Sequence, residues 1–176
     1  ADGLIVGTVI GIPMGLWIPM TKMPERIALS HSFGGLAVAL IGIVEYYRHA
    51  GHMGATQMGA TGFEVVLGAL TFTGSLMAFG KLQGIMPERP ITFKIQNYLN
   101  VGLMIVSFGL VMYLIGHPGD ARAFYVLTTL GFLLGVTLVL PIGGADMPVV
   151  ICLLNSYAGL AASASGFALD NNVLII

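Results

Sequence analysis

The chain has 176 residues, 56% hydrophobic and only 9% charged, with a mean hydropathy of +0.91. Soluble domains carry about 25% charged residues, so the composition excludes a water-soluble globular domain and describes a polytopic membrane domain. A net charge of −1 gives no basis for a nucleic-acid partner, and the single cysteine, Cys152, rules out an intrachain disulfide.

Apolar runs separated by short polar breaks predict helices near 3–20, 25–48, 61–81, 97–116, 122–141 and 146–169, and a seventh over 171–176. The expected fold class is all-α. It is a transmembrane helical bundle of about six complete spans plus the start of a seventh, forming one domain over 1–176. The first span holds Pro13 and Pro19 and is expected to be kinked or frayed. No basic stretch precedes it, so it does not read as a signal peptide. Ala1 opens almost directly into one apolar run and Ile176 stops a few residues into another. The chain therefore reads as part of a longer polypeptide.

The sixth span is the most unusual. It follows Gly143, Gly144 and Asp146, carries an amide, Asn155, and is filled in its second half by small residues from Ala158 to Gly166. Small side chains let helices approach closely, and a buried amide needs a partner. This stretch is expected to organise the bundle.

Charges in the breaks give an orientation. Lys22, Arg26, Lys81, Arg89 and Lys94 fall on one side, Arg48 and Arg122 on the other. The positive-inside rule makes the first side cytoplasmic, or the matrix side in a mitochondrion, and Asp146 shares it. Depth follows from position. His31 lies six residues after Glu25, Ser75 six before Lys81, and Asn155 nine after Asp146. At 1.5 Å per residue, all three sit roughly 9–14 Å from the same face.

His31 is the only histidine within an expected span; His49, His52 and His117 fall in loops on the opposite side. Ionisable residues in membrane spans are costly and usually functional, and imidazole titrates near neutrality. By residue type alone, His31 is either a proton carrier or a neutral histidine bonded to a neighbouring helix. Asn155 is read first as interhelical glue, and Ser75 and Ser156 as hydroxyls bonded to local carbonyls. Asp146, before Met147 and Pro148, reads as a helix N-cap that can still face a partner, with Gly143 and Gly144 permitting a tight backbone there. Glu64 reads as an interfacial carboxylate in water or a guard at an outer proton mouth. Glu45, Tyr46, Tyr47 and Arg48 read as an interfacial anchor. No GxGxxG follows a strand and no GxxxxGK[ST] occurs, so no dinucleotide or P-loop site is expected; no Cys/His spacing suggests a metal.

Four stretches carry a resemblance: MPERIALSHSFGGLAVALIGIVEYY, LGALTFTGSLMAFGKLQG, GGADMPVVICLLNSYAG and GFALDNNVLII. They resemble the membrane domain of the beta subunit of proton-translocating NAD(P) transhydrogenase. The resemblance implies the proton-conducting part of an enzyme that couples inward proton movement to hydride transfer from NADH to NADP⁺. It implies a proton channel at His31 and Asn155, with Ser75 and its TFTGS stretch lining it; Ser156 and Glu64 are further channel candidates from their positions alone. It implies a coupling surface at Asp146, Gly143 and Gly144, and no hydride chemistry in this segment. No cofactor is expected to bind here; NADP(H) and NAD(H) belong to the complete enzyme. The implied partners are membrane lipid, the NADP(H)-binding domain of the same subunit, and an alpha subunit or region binding NAD(H), in a dimer. The implied location is a bacterial plasma membrane or mitochondrial inner membrane. The competing class is a haem-bearing electron carrier, which needs two histidines facing each other inside the bundle.

Overall fold

A computed structural model describes residues 2–17, 19–49 and 51–175. Ala1, Ile18 in the expected first span, Ala50, and Ile176 at the end of the expected seventh lie outside the described residues. The described residues form α1 (Asp2–Trp17), α2 (Met23–His49), α3 (Ala55–Leu82), α4 (Gln96–Gly116), α5 (Ala121–Val139), α6 (Met147–Ala168) and α7 (Asn172–Ile175). The all-helical bundle is as expected, but the span count is lower. Five helices, α2 to α6, are long and apolar enough to cross a membrane; α1 is a shorter apolar helix and α7 a single turn.

Local chemistry explains the boundaries. Pro13 lies inside α1, while Pro19 falls beyond its end. α3 starts at Ala55, six residues before the expected 61, because Gly54 takes an extended conformation at its N-cap and the helix tolerates Gly59. α5 ends at Val139, short of the expected 141. Leu140 keeps helical angles and still donates to the Val136 carbonyl, but Pro141 has no amide hydrogen with which to continue the ladder. The Asp120 carboxylate caps α5, accepting from the amides of Arg122 at 3.1 Å and Ala123 at 3.4 Å.

The centre of the bundle is α3, and not the sixth span. α2, α4, α5 and α6 all pack against it. Lipid is as apolar as leucine, so close packing and polar contacts must hold such helices together. Glycines supply the closest approaches. A Cβ at Gly68 of α3 would stand 2.7 Å from the Ala39 amide nitrogen and 3.0 Å from the Gly35 carbonyl oxygen. A Cβ at Gly35 of α2 would stand 2.8 Å from the Phe72 amide nitrogen. On the other side of α3, Gly131 and Gly135 let α5 lie against Val66, Ala69 and Leu70. In α6 the small residues are used in part: Ala161, Ala164, Ser165 and Gly166 are buried, whereas Gly159 is exposed and has open space beside it.

Two apolar clusters fill the bundle. Ala28, Leu70, Ala78, Leu134, Met147 and Leu154 form one, and Tyr46, Met58, Val65, Leu114, Phe124 and Leu127 the other. Tyr46 stacks on Phe124 with centroids 3.8 Å apart and planes 5° from parallel. Tyr46 is therefore packing inside the bundle; of the expected interfacial anchor, Tyr47 and Arg48 are exposed, and the Tyr47 and Tyr125 hydroxyls pair at the surface.

Candidate functional site

α2 and α3 run side by side, and their packing brings His31 to Ser75. His31 Nδ1 and Ser75 Oγ lie 2.9 Å apart, across 44 positions of sequence. Ser75 is fully buried and His31 half-buried. The second ring nitrogen, Nε2, is buried with no hydrogen-bond partner. Asn155 of α6 lies beside the ring without a hydrogen bond to it. The three groups matched by depth thus converge on one place. The expectation of a buried amide fails, however: Asn155 is exposed, because its side of α6 turns away from α3. An imidazole with one nitrogen held by a hydroxyl and the other free can pass a proton between the two.

Ser156 stands apart from this group. It is exposed, and its hydroxyl donates to the Cys152 carbonyl at 3.2 Å, as a serine in a span does when it serves its own helix.

Glu64 is not an interfacial carboxylate in water. It is 0% exposed, and neither oxygen has a hydrogen-bond partner. The early start of α3 explains the error: nine residues of helix precede Glu64, rather than the three that the expected boundary gave, and α2 covers it. A Cβ at Gly42 of α2 would stand 3.2 Å from the Glu64 carboxyl carbon, so that glycine makes room for the acid.

Asp146 occupies the N-cap position of α6, but its side chain makes no capping bond. Its backbone is near-helical, with φ −92° and ψ 0°, where an N-cap is usually extended. Pro148 in the first turn needs no acceptor for an amide hydrogen, which lowers the demand for a cap. The exposed carboxylate is therefore free for other use. Gly143 and Gly144 do not exploit glycine's freedom in φ; among the described residues, the glycines with positive φ are Gly51 and Gly84. Gly144 is instead a close approach, its amide donating to the Glu88 carbonyl at 2.8 Å.

Sequence reasoning missed Lys81. It was counted as a loop charge, yet it is 0% exposed. Its ammonium donates to the carbonyls of Leu140 and Ile142, each at 2.6 Å, and sits 3.5 Å from that of Val139. A cation at the carbonyl end of a helix meets both the unpaired acceptors and the negative end of the dipole. The end of α3 is thereby tied to the segment leading to Asp146. Without Lys81 the basic residues divide four (Lys22, Arg26, Arg89, Lys94) against two (Arg48, Arg122), with the same sign.

Also missed was a stripe along α3: Thr61, Glu64, Gly68, Thr71 and Ser75, all buried. Their spacing of three and four places them on one helix face. The hydroxyls of Thr61 and Thr71 lack partners, as does Glu64. The pattern was visible as T-x-x-E-x-x-x-G-x-x-T-x-x-x-S. Among the described residues, no group of three or more His, Cys, Asp or Glu could hold a metal ion.

The whole chain, residues 1–176, matches the family described as NAD(P) transhydrogenase beta subunit. The chain belongs to that family. It is 38% identical over 180 residues to the NAD(P) transhydrogenase subunit beta of Rhodospirillum rubrum, and equally to that of a designated strain of the species. The match covers 98% of this chain but 39% of each relative. The chain thus spans about two fifths of the length of the curated relatives it matches, and within this beta-subunit family it corresponds to a multi-pass membrane part.

Proposed function

We propose that this chain is the proton-translocating membrane part of an NAD(P) transhydrogenase, coupling inward proton movement to hydride transfer from NADH to NADP⁺. The observation that carries the reading is the His31–Ser75 hydrogen bond inside the bundle, with Nε2 of the same ring buried and unbonded beside Asn155. His31 carries the proton, Ser75 holds one ring nitrogen, and Asn155 orders a water or the ring. Asp146, with Gly143 and Gly144, forms the coupling surface facing the NADP(H)-binding domain of the same subunit. NADP(H) and NAD(H) bind elsewhere in the complete enzyme, NAD(H) on an alpha subunit or region, and the complete unit is a dimer in a bacterial plasma or mitochondrial inner membrane.

The haem alternative gains no support. His49, His52 and His117 are exposed, and His31 is bonded to Ser75, so among the described residues no two histidines face each other in the interior. The test of the main reading uses the complete enzyme in sealed vesicles, recording proton movement during NADPH formation. The parent should move protons and His31→Ala should not; proton movement at the parent rate in His31→Ala would refute it.

A further inference from the structure

The turn between α5 and α6 is gripped from several sides, and Lys81 is the buried part of that grip. Helix ends are ordinarily completed by their own chain or by water. At the end of α5 the acceptors are filled from other elements instead. Gln96 and Asn100 of α4 donate to the Thr137 carbonyl at 3.0 and 3.4 Å. Lys81 of α3 donates to the Leu140 and Ile142 carbonyls, 59 and 61 positions away. The Leu140 carbonyl takes a second donor, the Ile91 amide at 3.2 Å, and the Glu88 carbonyl of the same loop takes the Gly144 amide at 2.8 Å. Met147, the first residue of α6, is fully buried in the apolar cluster that holds Ala78 of α3. The backbone leading to Asp146 is therefore held by α3, by the loop that follows α3 and by α4. The Asp146 carboxylate itself is exposed and makes no capping bond.

An ammonium has three N–H donors and no acceptor, and this one bonds to backbone carbonyls alone. Among the described residues no carboxylate pairs with it. A methionine would fill the same space but bond nothing. What the charged group adds is a link between two elements. Ser75 lies six residues before Lys81 on α3, roughly 9 Å along one continuous helix. Every turn between them is hydrogen-bonded, so a shift at Lys81 reaches Ser75 as a rigid displacement. Two residues after Lys81, the Gln83 amide donates to the Glu25 carboxylate at the entry of α2, six residues before His31. Both members of the His31–Ser75 pair are thus joined to this face of the bundle, and α3 carries the buried connection to the Asp146 segment.

We propose that Lys81 is a positioning residue for coupling: with the 88–91 loop it clasps residues 139–144 to α3, so that the Asp146 segment and Ser75 move as one body. This rests on the proton-translocating reading above, with Asp146 as its coupling surface. A partner domain that pulls or releases Asp146 then moves α3 as well, and the Ser75 hydroxyl is brought to His31 Nδ1 or withdrawn from it. Without the ammonium, the segment answers the partner while α3 stays still. Hydride transfer and proton movement then part company, although each piece of the machinery is present.

The test uses the complete enzyme in sealed vesicles, with Lys81→Met, Lys81→Arg and Ile91→Pro beside the parent and His31→Ala. The quantity read is protons moved per NADPH formed. A smaller folded fraction lowers both rates alike and leaves this ratio unchanged, so a merely structural role for Lys81 does not move it. We expect Lys81→Met to lose fivefold or more of the ratio while NADPH formation continues. Lys81→Arg keeps a cation with donors for both carbonyls and should retain most of the ratio. A parent-level ratio in Lys81→Met overturns the proposal, and so does a loss in Lys81→Arg as large as that in Lys81→Met. Should Lys81→Met fail to fold, Ile91→Pro decides. It lies in an exposed loop and removes the second donor from the Leu140 carbonyl, leaving the buried charge in place. We expect its ratio to fall at least twofold, and a parent-level ratio overturns the clasp. Failure of the underlying reading looks different: the parent would form NADPH without moving protons, or His31→Ala would move them at the parent rate.

Discussion

His31 of α2 and Ser75 of α3 share a hydrogen bond 2.9 Å long, and it ties the one histidine inside the bundle to its central helix. Ser75→Ala removes the hydrogen-bond partner of Nδ1. An unsatisfied buried polar group costs about 1–3 kcal/mol. The variant should melt lower in detergent and pump more slowly than the parent, yet less severely impaired than His31→Ala. Unchanged melting and pumping would show that the bond carries neither function.

Asn155→Leu should insert and fold normally, because its side chain is exposed and makes no formed hydrogen bond that folding depends on. Pumping by the complete enzyme should fall severalfold, since leucine cannot hold a water or orient the ring. Parent-level pumping with normal insertion would remove Asn155 from the mechanism.

Asp120 and Asp146 both precede helices, and only Asp120 caps with its side chain. Asp120→Ala should therefore cost about 1 kcal/mol of stability, while Asp146→Asn should leave the melting temperature unchanged. In the complete enzyme Asp146→Asn should alter NADP(H) affinity, measured by titration at several pH values. Lowered stability with normal nucleotide binding would return Asp146 to a purely structural role.

Lys81→Met should be strongly destabilising. It strips the Leu140 and Ile142 carbonyls of their donor, at about 1–3 kcal/mol for each unsatisfied group. The melting temperature should drop clearly in detergent. A melting temperature within a degree or two of the parent would mean water replaces the ammonium.

Gly68→Ala should separate α2 from α3, because its new methyl would overlap the Ala39 amide. Overpacking of this kind costs about 1–3 kcal/mol. Gly102→Ala is the control, with nothing within 4 Å of the added carbon. Equal melting of the two variants would disprove close backbone contact at Gly68.

Much of this was legible in the residues. Hydropathy located the five long helices, and counting residues from charged ends set His31 and Ser75 at one depth. Neighbour relations were not legible, because depth says nothing of the angle around a helix axis. Asn155 therefore appeared buried when it lies at the surface. Glu64 appeared wet because the polar, glycine-containing start of α3 hid a turn and a half of helix. Lys81 appeared to be a loop charge because its acceptors, the carbonyls of Leu140 and Ile142, lie about sixty positions away. The α3 stripe needed only its three-and-four spacing, but threonines and a glycine are unremarkable until their unpartnered hydroxyls are seen together.

The burial of Glu64 and Lys81 on one helix has a consequence for how the protein is made. α3 carries one ionisable group nine residues in, Glu64, and another in its last turn, Lys81, and both are fully buried in the folded bundle. Released alone into lipid, each would cost about 2.5–3.5 kcal/mol if held near mid-membrane. The translation order places α2 in the membrane first, with Gly35 and Gly42 ready to receive α3. α3 should therefore leave the insertion machinery only in company with α2, and Lys81 should stay near the interface until α5 arrives to supply its carbonyls. Chains ending after α3, made with and without α2, should differ in the fraction of α3 that spans the bilayer, so that biogenesis depends on the same helix pair that holds His31 and Ser75.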